Sequence, residues 1–302
     1  MITSTKPVQD IYNKWIYKYV PSGGVLPTGI EIIPDRIIPQ PKELCKYYAL
    51  NEQNVKALST KYFYGSHPFE LNDPFDFNKN MLNLNPSILD SAYNIIFSHI
   101  GILSMTESEV DPLMWSHYTS HKGFVVKYAI DKIPENFLGP FPINYIDDYE
   151  TFNQKETFLR FLIASNIKYK KHWESEKEWR FLLSSPTGMK LPKFLQNKLL
   201  KKDQSKFPRF FSYSNYFSIK EVILGYKLFL NEKVKLKCNQ GIGFEVTSND
   251  CQLVKFLCLL NRKKFNTFML DLHPLNYSEF ITKKVSVNQI RRNKFALNFI
   301  EP

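Results

Sequence analysis

Cysteine is scarce in this chain of 302 residues: Cys45, Cys238, Cys251 and Cys258 are the only four, and no two form a Cys-x-x-Cys pair. That excludes a disulfide-stapled scaffold and the usual zinc ribbons. Glycine is low as well, at 11 residues. Walker and dinucleotide glycine fingerprints are missing, and Gly241-Ile-Gly243 lacks the strand–turn–helix context such a loop needs. Nor is there a Gly-x-Ser-x-Gly nucleophile elbow. No apolar run reaches the ~18–20 residues of a membrane-spanning helix. The opening Met1-Ile-Thr-Ser-Thr-Lys-Pro lacks the charged-then-apolar layout of an export signal. The expectation is therefore a cytoplasmic protein without a membrane partner. A resident metal is not expected: His-Glu-x-x-His is absent, and His117 with His121 offers only an i, i+4 pair that Gly123 soon interrupts.

What the chain does have is apolar and aromatic mass. Hydrophobic residues make up 43% and Phe, Tyr and Trp 15%, too much for low-complexity disorder and enough for a substantial core. Charge is unevenly placed. Residues 186–302 hold 21 Lys and Arg against 8 Asp and Glu, whereas 1–185 are close to neutral. A basic back half suits a polyanion such as a nucleic acid, and equally suits a plain solvated surface.

Residues 8–20 carry apolar residues at helical spacing, and 21–41 are rich in proline, so 1–41 reads as an N-terminal helix and extended arm. The main domain is expected over 42–230, followed by a basic, β-rich extension over 231–302. Within the main domain, 44–50 suits a strand, and Asn51 can cap a helix through Ser59. Residues 61–65, 101–106, 123–128 and 179–183 suit strands, while Asn85-Pro86 opens a second helix and 151–166 make a third. Pro112–His117 makes a helical turn, and Leu253–Leu260 read as β-rich. Helices and strands occur without a strict β-α-β rhythm. The fold class is α+β, a mixed or mainly antiparallel sheet with flanking helices.

Three segments concentrate polar and aromatic residues. The run from Phe69 to Asp76 contains Asn72-Asp73-Pro74, a turn-former. Leu113-Met114-Trp115-Ser116-His117-Tyr118 places stacking rings beside a side chain that titrates near neutrality, and Gly123 lets backbone approach closely. The third, Trp173 to Arg180, sets Glu176 and Glu178 two apart at the start of a strand, so that both carboxylates share a face with Arg180. Carboxylates, a cation and aromatics together can form a site, or a solvated strand edge with Glu–Arg pairing.

At these segments the chain resembles a widespread bacterial family of unknown function. The resemblance rests on Lys46-Tyr47-Tyr48, Leu71-Asn72-Asp73-Pro74-Phe75-Asp76, Leu113 to Tyr118 with His121-Lys122-Gly123-Phe124, Trp173…Glu176-x-Glu178-Trp179-Arg180, and Ile219 to Gly225. More loosely, the order of elements resembles the ADP-ribosyltransferase plan, which implies an ADP-ribosyltransferase-like core and NAD as the bound group. By that resemblance Lys46 or Tyr47 contacts NAD, Tyr118 or Trp115 stacks on nicotinamide, and Glu178, with Glu176 as second choice, is catalytic. The wider candidate set adds His117 to the catalytic residues, and Ser116, Arg180, Asn72 and Asp73 to the binding residues. The activity implied is NAD-dependent modification of a nucleic-acid or protein target, as by a toxin or phage-defence effector. The alternative is a non-catalytic module that binds nucleic acid or senses a nucleotide, with Trp115, Tyr118, Trp173 and Trp179 stacking bases.

Overall fold

The computed structural model describes residues 8–9, 15–20, 29–34, 40–68, 71–73, 75–76, 100–134, 137–147, 164–184, 210–237, 242–276 and 279–300. Three N-terminal strands, β1 (Val8–Gln9), β2 (Trp15–Val20) and β3 (Gly29–Pro34), pair antiparallel in chain order. They replace the helix expected at 8–20 and part of the arm at 21–41. The reason is composition: Trp-Ile-Tyr-Lys-Tyr-Val is almost entirely aromatic and β-branched, which favours a pleated surface over the helical spacing it also satisfies.

The rest of the described chain builds one large sheet and two separate two-stranded sheets. The first half of this stretch comprises β4 (Glu43–Tyr48), α1 (Glu52–Thr60), β5 (Tyr62–Tyr64), β6 (Ile100–Thr106), α2 (Pro112–Thr119), β7 (Phe124–Ile130) and β8 (Phe137–Pro142). Next come β9 (Asn144–Ile146), β10 (Ile167–Tyr169), the short α3 (Lys170–Trp173) and β11 (Glu178–Ser184). The second half comprises β12 (Phe210–Ser212), β13 (Phe217–Leu224), β14 (Lys233–Lys237), β15 (Gly243–Thr247), α4 (Cys251–Lys263), β16 (Thr267–Leu272), β17 (Phe280–Arg291) and β18 (Lys294–Phe299). In the two small sheets β5 pairs with β12 and β9 with β10. The large sheet has 11 strands in the order β14-β15-β18-β17-β16-β13-β7-β4-β6-β11-β8. All neighbours are antiparallel except β13 and β16. The protein is thus α+β with a mainly antiparallel sheet and few helices. The basic strands of 231–302 hydrogen-bond onto this sheet, joined through β16 to β13. The helix expected from Asn85 and nearly all of the one over 151–166 lie outside the described residues. No described helix is long and apolar enough to cross a membrane.

Alternation along β4 supplies both layers of the core. Leu44 and Tyr48 face one side, where Tyr48 stacks on Phe124 at 5.2 Å and Phe124 on Phe256 of α4 at 4.4 Å. Cys45 and Tyr47 face the other, with Trp115 of α2. Helix α4 stands where 253–260 suggest β structure. Asp250 caps it by accepting from the Gln252 and Leu253 amides, and Leu253, Phe256, Leu257 and Leu260 form its buried stripe. The cap and the i, i+3, i+4 spacing outweigh the β-like look of the individual residues. Asn51 caps α1 as expected, accepting from the Asn54 amide at 2.8 Å.

One irregularity positions the site. Strands β4 and β6 are neighbours, yet only Cys45 and Thr106 pair between them. Beyond that point the two strands part, and the sheet opens.

Candidate functional site

A cavity of about 240 Å³ occupies the parting. Strand β4 contributes Lys46 and Tyr47, β6 contributes Ser104 and Thr106, and α2 contributes Tyr118. Asn72 closes one side, while Lys168, Glu176, Glu178 and Arg180 form the floor.

That floor is a buried ion cluster. Arg180 enters from β11, which lies between β6 and β8 and is not a sheet edge. Its guanidinium holds Asp76 with both terminal nitrogens, at 2.8 and 2.9 Å, and holds Glu178 through Nε at 2.7 Å and Nη2 at 3.2 Å. Its Nη1 also donates to the Ser165 carbonyl. Lys168 from β10 bridges the two glutamates, 2.6 Å from Glu176 and 2.7 Å from Glu178, and its ammonium stands 4.5 Å from the centre of the Trp173 ring. All five charged side chains are buried. Charges removed from water this completely persist only when paired and hydrogen-bonded. Here two cations carry three carboxylates.

The electrostatics follow. Burial alone pushes the Glu178 carboxyl upward, but Arg180 and Lys168 outweigh it and hold it at about 2. Glu178 is therefore ionised at every physiological pH. Tyr118 donates its hydroxyl to Glu176 Oε1 at 2.6 Å and accepts from the Asn72 amide at 3.0 Å. Burial, with Glu176 adding to it, raises that phenol far above its ordinary range, so it remains a donor.

The convergence of the two glutamates has a different origin from the one expected. Glu176 lies in a 3-10 turn over Glu174–Glu176, Lys177 takes a left-handed conformation at φ 44°, and the strand begins only at Glu178. A turn, not the alternation of a strand, brings both carboxylates to Lys168. Thr106 fixes that turn by donating its hydroxyl to the Glu176 carbonyl at 2.6 Å.

Of the residues singled out from sequence, Lys46, Tyr47, Asn72, Tyr118, Glu176, Glu178 and Arg180 line the cavity. Four do not. Trp115 is fully buried in the core, edge-on to Tyr47 with its Nε1 donating to the Glu109 carbonyl, so it offers no stacking face. Ser116 and His117 are exposed on the outer side of α2, because a helical turn that buries Met114 and Trp115 sends them to solvent. Asp73 is buried, with Oδ1 accepting from the Phe75 amide as a turn-former. His121 cannot extend a helical pair with His117: α2 ends at Thr119, and Ser120 and His121 turn left-handed at φ 50° and 59°. Among the described residues no group of three or more His, Cys, Asp or Glu side chains stands ready for a metal ion.

Sequence reasoning missed Lys168 and Asp76. Asp76 ends a turn-forming segment, and Lys168 reads as one of several lysines in a basic run; both signals were visible without a partner to attach them to. No protein-family model, curated protein or solved structure matches this chain.

Proposed function

We propose that the cavity is an ADP-ribosyltransferase-like NAD site, and that the protein belongs to the toxin or phage-defence effectors that modify a nucleic-acid or protein target. The observation that carries the reading is the meeting of Lys46 from β4, Tyr118 from α2 and Glu178 from the start of β11 around one cavity. That is the order in which an ADP-ribosyltransferase presents its first-strand polar residue, aromatic shelf and late glutamate. The lining suits one end of the dinucleotide: the Tyr118 ring, the Asn72 amide and the ionised Glu178 carboxylate. A volume of about 240 Å³ lies below the roughly 300–1,000 Å³ that encloses a whole drug-sized ligand, so the nicotinamide ribose enters and the rest lies outside.

NAD supplies a ribosyl–nicotinamide bond whose cleavage leaves positive charge on the sugar. Glu178 answers that charge with a carboxylate fixed in place by Arg180 and Lys168, needing no reorganisation when the bond breaks. Glu176 orients Tyr118, and Lys46 contacts the bound group from the facing strand. Incubation with NAD, tested alone and with mixtures of nucleic acid and protein, releases nicotinamide, and Glu178→Gln lowers the rate by about 10²–10³. Intact NAD with wild-type protein in every mixture overturns the proposal.

A second reading is favoured by one observation: both Glu178 oxygens are already engaged by cations. On that reading the protein senses a nucleotide or binds nucleic acid without turnover. The exposed Lys233 and Lys235 on edge strand β14 then track phosphates, though lysines at an edge also simply deter unwanted strand pairing. Binding that falls steeply with salt and survives Glu178→Gln separates this reading from the first.

A further inference from the structure

Lys168 and Arg180 between them hold all three carboxylates of the cluster, and the third cation of the cavity holds none. The Lys46 ammonium reaches across the parting of β4 and β6 to the Ser104 carbonyl, 3.1 Å away. Its other neighbour is the Tyr48 ring, 5.8 Å from the nitrogen to the centroid. Among the described residues no carboxylate lies within ion-pair distance of it. A primary amine thus lines a small cavity with most of its bonding capacity unspent.

We propose that Lys46 is an amine nucleophile that captures the open-chain aldehyde of a small hydroxylated compound, an aldose or aldose phosphate, as an imine. An ordinary lysine is almost wholly protonated at neutral pH and cannot attack. Burial lowers the Lys46 ammonium to about 8, against the opposing pull of Glu178, which leaves on the order of a tenth of it as free amine at pH 7. The class of carbonyl compound follows from the lining. Ser66, Ser104 and Asn72 line the same space, and residues that carry hydroxyl and amide groups recognise sugar hydroxyls better than alkyl chains.

The step balances without an oxidant or reductant. The nitrogen lone pair adds to the aldehyde carbon, and the carbonyl oxygen takes up a proton as the nitrogen sheds one. That hydroxyl then leaves with a second proton as water, and the C=N bond closes. The inference goes beyond the NAD reading and does not depend on it, since the test uses no NAD.

The full chain is incubated at pH 7.5 with limiting D-glyceraldehyde and cyanoborohydride, and the lysine peptides are mapped by mass spectrometry. Lys46 is expected to be modified at least about tenfold more than the exposed Lys122 and Lys255, because far more of it is free amine. Lys46→Arg removes that adduct and leaves the others. Modification of Lys46 no greater than that of Lys122 and Lys255 overturns the proposal. Trace acetylation across pH 6–11 gives an independent check on the wild-type chain: Lys46 must half-titrate near pH 8, and titration together with the exposed lysines sinks the idea.

Discussion

Arg180 and Asp76, 104 residues apart in the chain, meet fork to fork, with Nη1 2.8 Å from Oδ1 and Nη2 2.9 Å from Oδ2. The pair ties the turn at 75–76 to β11, one strand in from the β8 edge of the sheet, and fixes the guanidinium that orients Glu178. A bidentate pair sets direction as well as distance. This contact therefore decides where the acidic floor of the cavity sits.

Breaking that pair from one side leaves a buried charge without its partner. Asp76→Ala is expected to cost about 3–5 kcal/mol in urea unfolding. Replacing both residues together, as Asp76→Leu with Arg180→Met, costs clearly less than the single change. Equal losses from the single and double variants would show that the pair does not carry the cluster.

Acid stability follows Glu178, against an opposing contribution from Asp76, whose carboxyl is raised by burial despite Arg180. The folded value of Glu178, about 2, lies below its ordinary 4.5, so the unfolded chain binds the extra proton first. The stabilisation is complete above pH ~4.5 and is lost as the pH falls from there towards 2, amounting to roughly 3 kcal/mol. Unfolding midpoints measured from pH 6 down to pH 2 should show the fall, and Glu178→Gln should flatten it.

Lys46 imposes a slope of the same sign at the alkaline end. Burial depresses its folded value to about 8 from 10.5, so the unfolded state binds more protons between those values and stability rises with pH there. From about pH 9 the buried Cys45 thiol, raised chiefly by burial and further by Glu109, opposes the rise. The clean window is pH 8–9. Wild type gains stability across it and Lys46→Met does not.

Tyr118→Phe removes the hydroxyl that links Asn72 to Glu176 while keeping the ring. Loss of a hydrogen bond to a buried carboxylate costs about 1.5–3 kcal/mol. His117→Ala, one residue earlier and exposed, changes stability by less than about 0.5 kcal/mol. Comparable effects in the two variants would contradict the placement of α2.

Gly123 is fixed by space. A Cβ there would stand 2.1 Å from the Tyr48 carbonyl oxygen and 2.9 Å from the Thr119 Cβ. Because the nearer obstacle is backbone, Gly123→Ala is expected to cost about 3 kcal/mol, read as a lowered thermal midpoint.

The sequence by itself determined the local elements whose signals are short-ranged. The Asn51 cap, a strand over 123–128 (observed as Phe124–Ile130), the close approach at Gly123 and the α+β class all follow from neighbouring residues, as does the gathering of interest around Trp173–Arg180. It misled where two local signals competed: Trp15–Val20 and the α4 segment each satisfy both periods, and strand pairing or burial against the sheet made the choice. Only the tertiary structure decided that Asp76 and Lys168 join Glu176, Glu178 and Arg180, that Tyr118 faces the cavity while His117 faces solvent, and that Lys46 bonds to the Ser104 carbonyl and to no carboxylate among the described residues. The physical reason is that desolvation and charge pairing depend on which segments are brought within a few ångströms. That distance is set by the parting of β4 from β6, to which no run of neighbouring residues points.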